Sequence, residues 1–284
     1  MPSVTQVKKE MDFNSDLKSI LGVMKGIATA QFLALEEQYR QYDAFSTAIE
    51  SFFDLMDPKL IKHPFVVEGA PAGVIAITSD QGLLGGMNLQ VILTALDQMG
   101  DGNGTLIVVG ERGQRYAAER GFSVIGFPGV DDDKRLGQAL QVRDYAMDLA
   151  LRKQIGSLKV VYSRAISFTQ QRISILPVLP CTAWASGGKE TAHREFGHCL
   201  IESSLGSMVE YLVYLWLGQR LYEAMGLSRL AELGARAAHL EGSEQELERR
   251  AGKLRLEYFR KKHEIIDQNM RELFGARVVF GEKS

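Results

Sequence analysis

The sequence predicts an α/β protein in which long N- and C-terminal helices pair as an antiparallel coiled coil around an inserted five-stranded α/β domain. Three observations lead there. A heptad stripe runs without a break through Leu17, Leu21, Met24, Ala28, Gln31, Leu35, Gln38, Tyr42, Phe45, Ile49, Phe52 and Met56, with spacings of four and three in strict alternation. Only Gln31 and Gln38 are polar, so the stripe has the period of a supercoiled helix. Past residue 72 the period changes, and short apolar runs alternate with helical segments. Near the C-terminus a second heptad-like stripe appears at Leu240, Leu247, Ala251, Leu254, Tyr258, Ile265 and Leu273.

The first helix is expected from Asp12 to Asp57, because no proline lies between Pro2 and Pro58 and a proline opposes helix at the residue before it. At about 1.5 Å per residue it would be roughly 69 Å long. Nothing nearby in sequence can cover its stripe, which leaves the C-terminal helix as its partner. The stretch through Pro71 reads as a loop. Gly73 to Thr78, with the run VIAIT, reads as a buried parallel strand. Leu89 to Met99 is helical, Thr105 to Gly110 a strand, and Glu111 to Arg120 a helix closed by Gly121. Phe122 to Phe127 is a third strand, Lys134 to Gln154 an amphipathic helix, and Leu158 to Ser163 and Ile173 to Leu179 the last two strands. Strands alternating with helices argue for an open, Rossmann-like sheet with right-handed crossovers.

Ala183 to Arg194 reads as a loop, and helix resumes near Glu202 and runs to about Ala276, roughly 110 Å if continuous. Gly218, Gly226, Gly234 and Gly242 recur every eight residues there, each costing about 1 kcal/mol of helix propensity against Ala. They mark either close approach of a neighbouring backbone, as Gly22 and Gly26 would in the first helix, or breaks in the helix, above all at Gly226. The expected domains are 1–58, 59–200 and 201–284.

Composition narrows the function. Thirty-three basic residues against 35 acidic ones, a formal net charge of -2, give no general affinity for nucleic acid. Cys181 and Cys199 are too few for a disulfide scaffold and read as free thiols in a reducing compartment. The polar N-terminus, with Lys8, Lys9, Glu10 and Asp12, is no signal peptide, and no apolar run reaches the roughly 18 residues needed to span a bilayer. Direct bilayer insertion is therefore not expected. His193, His198 and Cys199 are close enough for a metal site but read as loop residues, and His63, His239 and His263 are scattered. No GxSxG elbow exists. Asp131, Asp132 and Asp133 read as a helix N-cap region before Lys134 rather than a metal site.

The segment Ser79-Asp80-Gln81-Gly82-Leu83-Leu84-Gly85-Gly86-Met87-Asn88 sits where a strand meets a helix. It is either a tight turn under the helix or a phosphate cradle, although it lacks both GxxxxGK[ST] and GxGxxG spacing. It resembles the strand-turn signature of the gamma subunit of F-type ATP synthases, with Ser79, Asp80, Gln81, Gly82, Gly85 and Asn88 at the motif positions. Gln81 stands for the usual Arg and Leu84 for the usual Cys. Gly22 to Phe32 (GVMKGIATAQF) resembles the family's first-helix KAMKMVAASKL pattern. Leu233 to Leu247, with Arg236 and Glu244, resembles its last-helix ARMMAM region, and Leu254-x-Leu256-x-Tyr258 followed by Arg260, Lys261 and Lys262 resembles its L-x-L-x-Y-N-x-x-R stretch. Gln268 and Glu272 continue it. Departures are Gly242-Ser243 for Asn-Ala/Thr, Phe259 for Asn, His263 and Asp267 for Gln and Thr, and an extension from Arg277 to Ser284. They fit a divergent branch, such as the alternate F-type ATPases, some of which pump sodium ions.

The resemblance implies a non-catalytic rotor-stalk subunit that binds no cofactor or metal and couples transmembrane ion flow to ATP synthesis or hydrolysis. Its partners would be the alpha and beta subunits, an epsilon-type subunit and the membrane rotor ring, at the cytoplasmic face of the inner membrane. Met24, Lys25, Arg236, Arg260, Lys262, Asp267 and Gln268 would lie at partner contacts. Two other classes compete. A Rossmann-like nucleotide-binding enzyme dimerising through its terminal helices would need a phosphate grip at Gly82 to Gly86 and a ribose partner after the second strand, where the sequence reads Gly110-Glu111-Arg112-Gly113. A scaffold unrelated to ATPases is the third.

Overall fold

The structure is a computed structural model that describes residues 3–38, 49, 63–66, 69, 71–100, 104–181 and 204–281, with side chains as far as residue 274. The end of the first helix at Asp57-Pro58, the stripe positions Tyr42, Phe45, Phe52 and Met56, the 183–194 loop, His193, His198 and Cys199 lie outside the described residues. The chain divides into two compact units: Met1–Ile27 with Ala237–Ser284, and Ala28–Arg236.

The larger unit is built on a five-stranded sheet of β1 (Ala72–Ile77), β2 (Thr105–Val109), β3 (Val124–Phe127), β4 (Ser157–Ala165) and β5 (Gln171–Leu179), in the order β3-β2-β1-β4-β5. The first four are mutually parallel, and β5 runs antiparallel to β4 with Val161 opposite Ile175. The sequence-based expectation of alternating crossovers fails at this last step. Five residues between β4 and β5 are too few for a crossover, which needs a dozen or more, so they close a hairpin. Continuous apolar runs such as Val74-Ile75-Ala76-Ile77 are buried on both faces because helices cover both. On one face α2 (Met87–Met99) and α3 (Glu111–Ala118) pack Val91, Ile92, Ala95 and Ala117 on Val74, Ala76, Leu106 and Val108. On the other, α4 (Arg135–Leu151) and the first part of α5 (Leu205–Gly281) pack Ala146, Met147, Val213, Trp216 and Leu217 on Ile75, Ile107 and Val160.

Helix α5 is continuous from Leu205 to Gly281, so the four glycines break nothing. Two of them do meet close neighbours. A Cβ at Gly234 would lie 2.7 Å from the carbonyl oxygen of Phe168, and one at Gly218 3.1 Å from Arg143 Nη1. Gly26 and Gly242 face open space, so the expected close approach does not extend to them.

In the smaller unit the start of α1 (Val4–Gln38) lies antiparallel to the later part of α5. Asn14 Nδ2 donates to the carbonyl of Leu247 at 2.9 Å, Lys25 meets Glu244, Lys18 meets Glu248 and Glu10 meets Arg250. The seam on α1 runs Val4, Val7, Met11, Asn14, Lys18, Leu21, Lys25, beginning well before Leu17. It is rotated from the sequence-based stripe, which leaves Met24 exposed. The reason is that Asn14 and the two lysines occupy seam positions an apolar count skips. A lysine can bury its methylene stem while its amine reaches a carboxylate at the edge.

Because the helix ends overlap in this register, Lys25 faces Glu241 and Glu244 rather than the stretch from Leu247 to Leu254. Cysteines at 25 and 244 are expected to be bridged within one chain by a short bifunctional thiol reagent, whereas a pair at 25 and 254 is expected to remain unbridged. The check is mass spectrometry of the intact chain. In the larger unit, Gly110 has φ +101° and a Cβ there would lie 2.6 Å from the backbone carbonyl of Thr78. Gly110→Ala is expected to lower unfolding free energy by about 1–3 kcal/mol or more in denaturant titrations.

Candidate functional site

The strand-turn motif folds as a latch at the carboxyl ends of the parallel strands. Thr78 leaves β1 hydrogen-bonded to Val109, its amide at 2.8 Å and its hydroxyl at 2.6 Å from the same carbonyl. Asn88, buried in the first turn of α2, reaches back. Its carbonyl oxygen accepts from the Ser79 amide at 3.2 Å, and its amide donates to Ser79 Oγ at 2.9 Å. Ser79 Oγ in turn donates to the carbonyl of Gln81 at 2.8 Å. Between them the chain turns through Leu83, Gly85 and Gly86, all at positive φ.

Asp80 holds the neighbouring strands. Its carboxylate accepts from the amide of Glu111, the first residue of α3, at 2.8 Å, and from the amide of Gly129 beyond β3 at 3.0 Å. A carboxylate at a helix N-terminus meets both orphan donors and the positive end of the helix dipole. One side chain thus ties the exits of β1, β2 and β3. Gly82 faces the Arg112 guanidinium, 3.3 Å from where a Cβ would sit. Gln81 is exposed and makes only its backbone contact to Ser79 among the interactions described. Of the two readings of this motif, the geometry supports the tight turn: the Ser79 amide is engaged by Asn88 and the Met87 amide by the Leu84 carbonyl.

Beside Asp80 lies a cavity of about 510 Å³ lined by Pro128, Gly129, Asp131, Asp132, Asp133, Gln138 and Arg229. The aspartates do not cap α4 by side-chain bonds as expected; the N-cap is Lys134 and has none. The loop is tied otherwise. Gln138 Nε2 donates to the Gly129 carbonyl at 2.8 Å, its oxygen accepts from the Asp131 amide at 2.9 Å, and Arg229 pairs with Asp132 at 3.3 Å. No group of three or more metal-ligating side chains occurs among the described residues. Burial pushes the Cys181 thiol up to about 12, which makes it an unreactive core residue.

The residues expected at partner contacts fall into three environments. Arg236 is 8% exposed and bonded to Glu232, which also pairs with Arg229. Lys25 is spent inside the smaller unit, its amine 2.6 Å from Glu244 and 3.3 Å from Glu241. Met24, Arg260, Lys262, Asp267 and Gln268 are exposed. The basic cluster splits, because Lys261 lies half-buried at the seam and pairs with Glu257 at 3.5 Å while Arg260 and Lys262 face outward. Beyond Lys261 every described side chain of α5 is exposed, including Ile265, Ile266, Met270, Leu273 and Phe274. On α1 a second apolar line, Phe13, Ile20, Val23 and Ile27, is also uncovered. The seven-residue recurrence of Phe13, Ile20 and Ile27 is the sequence signal that would have found it.

The Lys25–Glu244 hydrogen bond raises the lysine above its ordinary 10.5 and lowers the glutamate below its ordinary 4.5. A lowered carboxylate stabilises the fold above about pH 4.5 and loses that contribution as the pH falls. A raised amine stabilises below about pH 10.5 and loses it as the pH climbs. The smaller unit is therefore expected to be most stable between those limits. Lys25→Met should flatten both flanks in pH-dependent melting followed by circular dichroism. Asp80→Ala removes the acceptor for two amides at once and is expected to cost about 1–3 kcal/mol in denaturant titrations.

Comparison with known proteins agrees with this architecture. A family model described as ATP synthase matches residues 3–277. The ATP synthase gamma chain of Clostridium novyi is 25% identical over 280 residues, covering 95% of each chain, and that of Mycoplasmopsis pulmonis is 24% identical over 98% of this chain and 100% of its own. Among solved structures, a chain from the Euglena gracilis mitochondrial ATP synthase assembly of OSCP, F1 and c-ring superposes with a TM-score of 0.75 at 14% identity, covering 99% of this chain and 96% of its own. A chain of the Tetrahymena thermophila mitochondrial central stalk and c-ring superposes at 0.59, at 16% identity over 79% of this chain and 99% of its own. The match over nearly the whole length, with the strand-turn latch and both terminal helices inside it, places the chain in the ATP synthase gamma family.

Proposed function

We propose that the chain is the central-stalk rotor subunit of an F-type ATP synthase, coupling ion flow through the membrane part to ATP synthesis or hydrolysis in the alpha and beta subunits. It carries out no bond chemistry itself. The observation that carries this reading, beyond family membership, is the uncovered apolar surface of the smaller unit. Phe13 and Leu273 are 69% and 68% exposed, and the helices bearing them run past what they cover in each other. Exposed apolar lines on a helix pair call for surrounding protein, and a ring of alpha and beta subunits supplies it. In this reading the helix pair of the smaller unit belongs to the shaft, and the sheet of the larger unit belongs to the domain that meets an epsilon-type subunit and the membrane rotor ring. No helix among the described residues is long and apolar enough to cross a membrane, which fits a peripheral subunit. Its place is at the cytoplasmic face of the inner membrane.

Met24, Arg260, Lys262, Asp267 and Gln268 are exposed in the smaller unit and are the ring contacts of this reading. Lys25 in the smaller unit and Arg236 in the larger are engaged with carboxylates of their own chain, Glu244 and Glu232. Arg260 is 83% exposed along its side chain and reaches Glu264 only at 4.0 Å, so it contributes little to its own helix. Opposite acidic loops in a confined ring, partial desolvation makes the same charge count for more. Arg260→Glu with Lys262→Glu is expected to leave the melting temperature of the isolated chain unchanged and to lower ATPase activity of the reconstituted complex several-fold. Unchanged activity would remove these two residues from the ring contact. Failure of the native chain to assemble with alpha and beta subunits would remove the rotor reading itself.

A further inference from the structure

A glycine inside a helix weakens it more than any residue but proline, because it has more backbone freedom to lose. In the smaller unit, glycines of both helices lie near one level of the pair: Gly22 and Gly26 on α1, Gly242 on α5. The level is fixed by Lys25, which reaches Glu241 and Glu244, and by Gly22, whose Cβ would lie 3.9 Å from Glu244 Oε1. Packing requires none of the three. That last contact is an ordinary one, and a Cβ at Gly26 or Gly242 would meet no described atom within 4 Å. A second feature weakens α5 at the same level. Ser243 Oγ donates to the carbonyl of His239, four residues back, at 2.9 Å. Back-bonding of this kind competes for a carbonyl of the helix ladder and bends helices, and sharp bends gather at Gly-Ser pairs. The contacts that cross the pair here also tolerate a small twist. The Lys25 amine lies 2.6 Å from Glu244 and 3.3 Å from Glu241, so it keeps one carboxylate as it leaves the other, while buried Leu240 holds the helices together.

Two rods side by side add their stiffness, so a weak point in one helix is splinted by the other unless both are weak at the same level. Gly252 is the contrasting case. It too is exposed with open space around it, but the α1 stretch opposite, where Glu10 pairs with Arg250, carries no glycine. We propose that the level of Gly22, Gly26 and Gly242-Ser243 is a flexible joint built into the helix pair. There both helices bend and open together more readily than at the level of Val7 to Asn14 and Leu247 to Leu254. The inference concerns the chain alone and does not rest on the rotor reading.

The test is amide hydrogen exchange of the full-length chain, read by mass spectrometry and corrected for the intrinsic rate of each residue. Amides at 22–27 and 240–245 are expected to exchange several-fold faster than those at 7–14 and 247–254. Gly242→Ala is expected to slow exchange several-fold in its own stretch of α5 and also in 22–27 of α1, because the two helices open together. Ser243→Ala, which removes the back-bond without adding bulk, acts in the same direction. Gly252→Ala raises the melting temperature as Gly242→Ala does but leaves 22–27 unchanged. Equal or slower exchange at 22–27 and 240–245 than at the reference level would overturn the proposal. So would a Gly242→Ala chain that melts higher with exchange at 22–27 unaltered, since the helices would then open separately. Gly252→Ala slowing 22–27 as much as Gly242→Ala would show general stabilisation in place of a local joint, and would overturn it as well.

Discussion

Two helices that begin at opposite ends of the sequence each carry an apolar stripe that only the other can cover. Asn14 and Leu247 are 233 residues apart in the chain, yet one donates to the other. Closing such a loop costs entropy that grows only slowly with its length. That cost is recovered from side chains such as Val7, Leu240 and Leu254, each nearly or fully out of water. Burying a side chain of that kind contributes on the order of 1.5–3 kcal/mol. Neither stripe has an alternative partner of its length among the described residues. Pairing therefore follows from the sequence.

The larger unit solves a different problem. A parallel sheet leaves its strand exits pointing the same way, and three loops must be held close together there. Asp80 does this with a carboxylate that accepts amides from α3 and from the loop after β3, while Asn88 closes the turn from the other side. The Ser-Asp…Gly-Gly…Asn spacing is thus explained by geometry: two glycines permit positive φ, and the polar residues at either end satisfy one another. A motif at the place where doubly wound sheets often take phosphate serves instead as an internal tie. That suits a subunit whose work is mechanical, because the tie stiffens the domain.

Period was the most legible property of the sequence. Strands such as Ala72–Ile77 and Thr105–Val109, and helices such as Arg135–Leu151, fall within a few residues of their expected ends, since Gly and Pro mark the turns. The antiparallel sense of β5 was not legible from strand composition; only the shortness of its connection reveals it. The rotational setting of α1 was not legible either. A count of apolar residues passes over Asn14, Lys18 and Lys25, which the seam accepts, and so it places the stripe between the covered face and the uncovered line of Phe13, Ile20 and Ile27. At the basic cluster the seam position of Lys261 was readable, but its pairing with Glu257 needed coordinates.

If this chain turns against the alpha and beta subunits, a covalent link between them must stop the cycle. A cysteine at Arg260, an exposed position, would be disulfide-linked to an engineered cysteine on the beta subunit in the assembled complex, and ATP hydrolysis measured before and after reduction. Hydrolysis is expected to stop when the link forms and to return when it is reduced. Hydrolysis continuing at the unlinked rate, with the link shown to be complete, would contradict it.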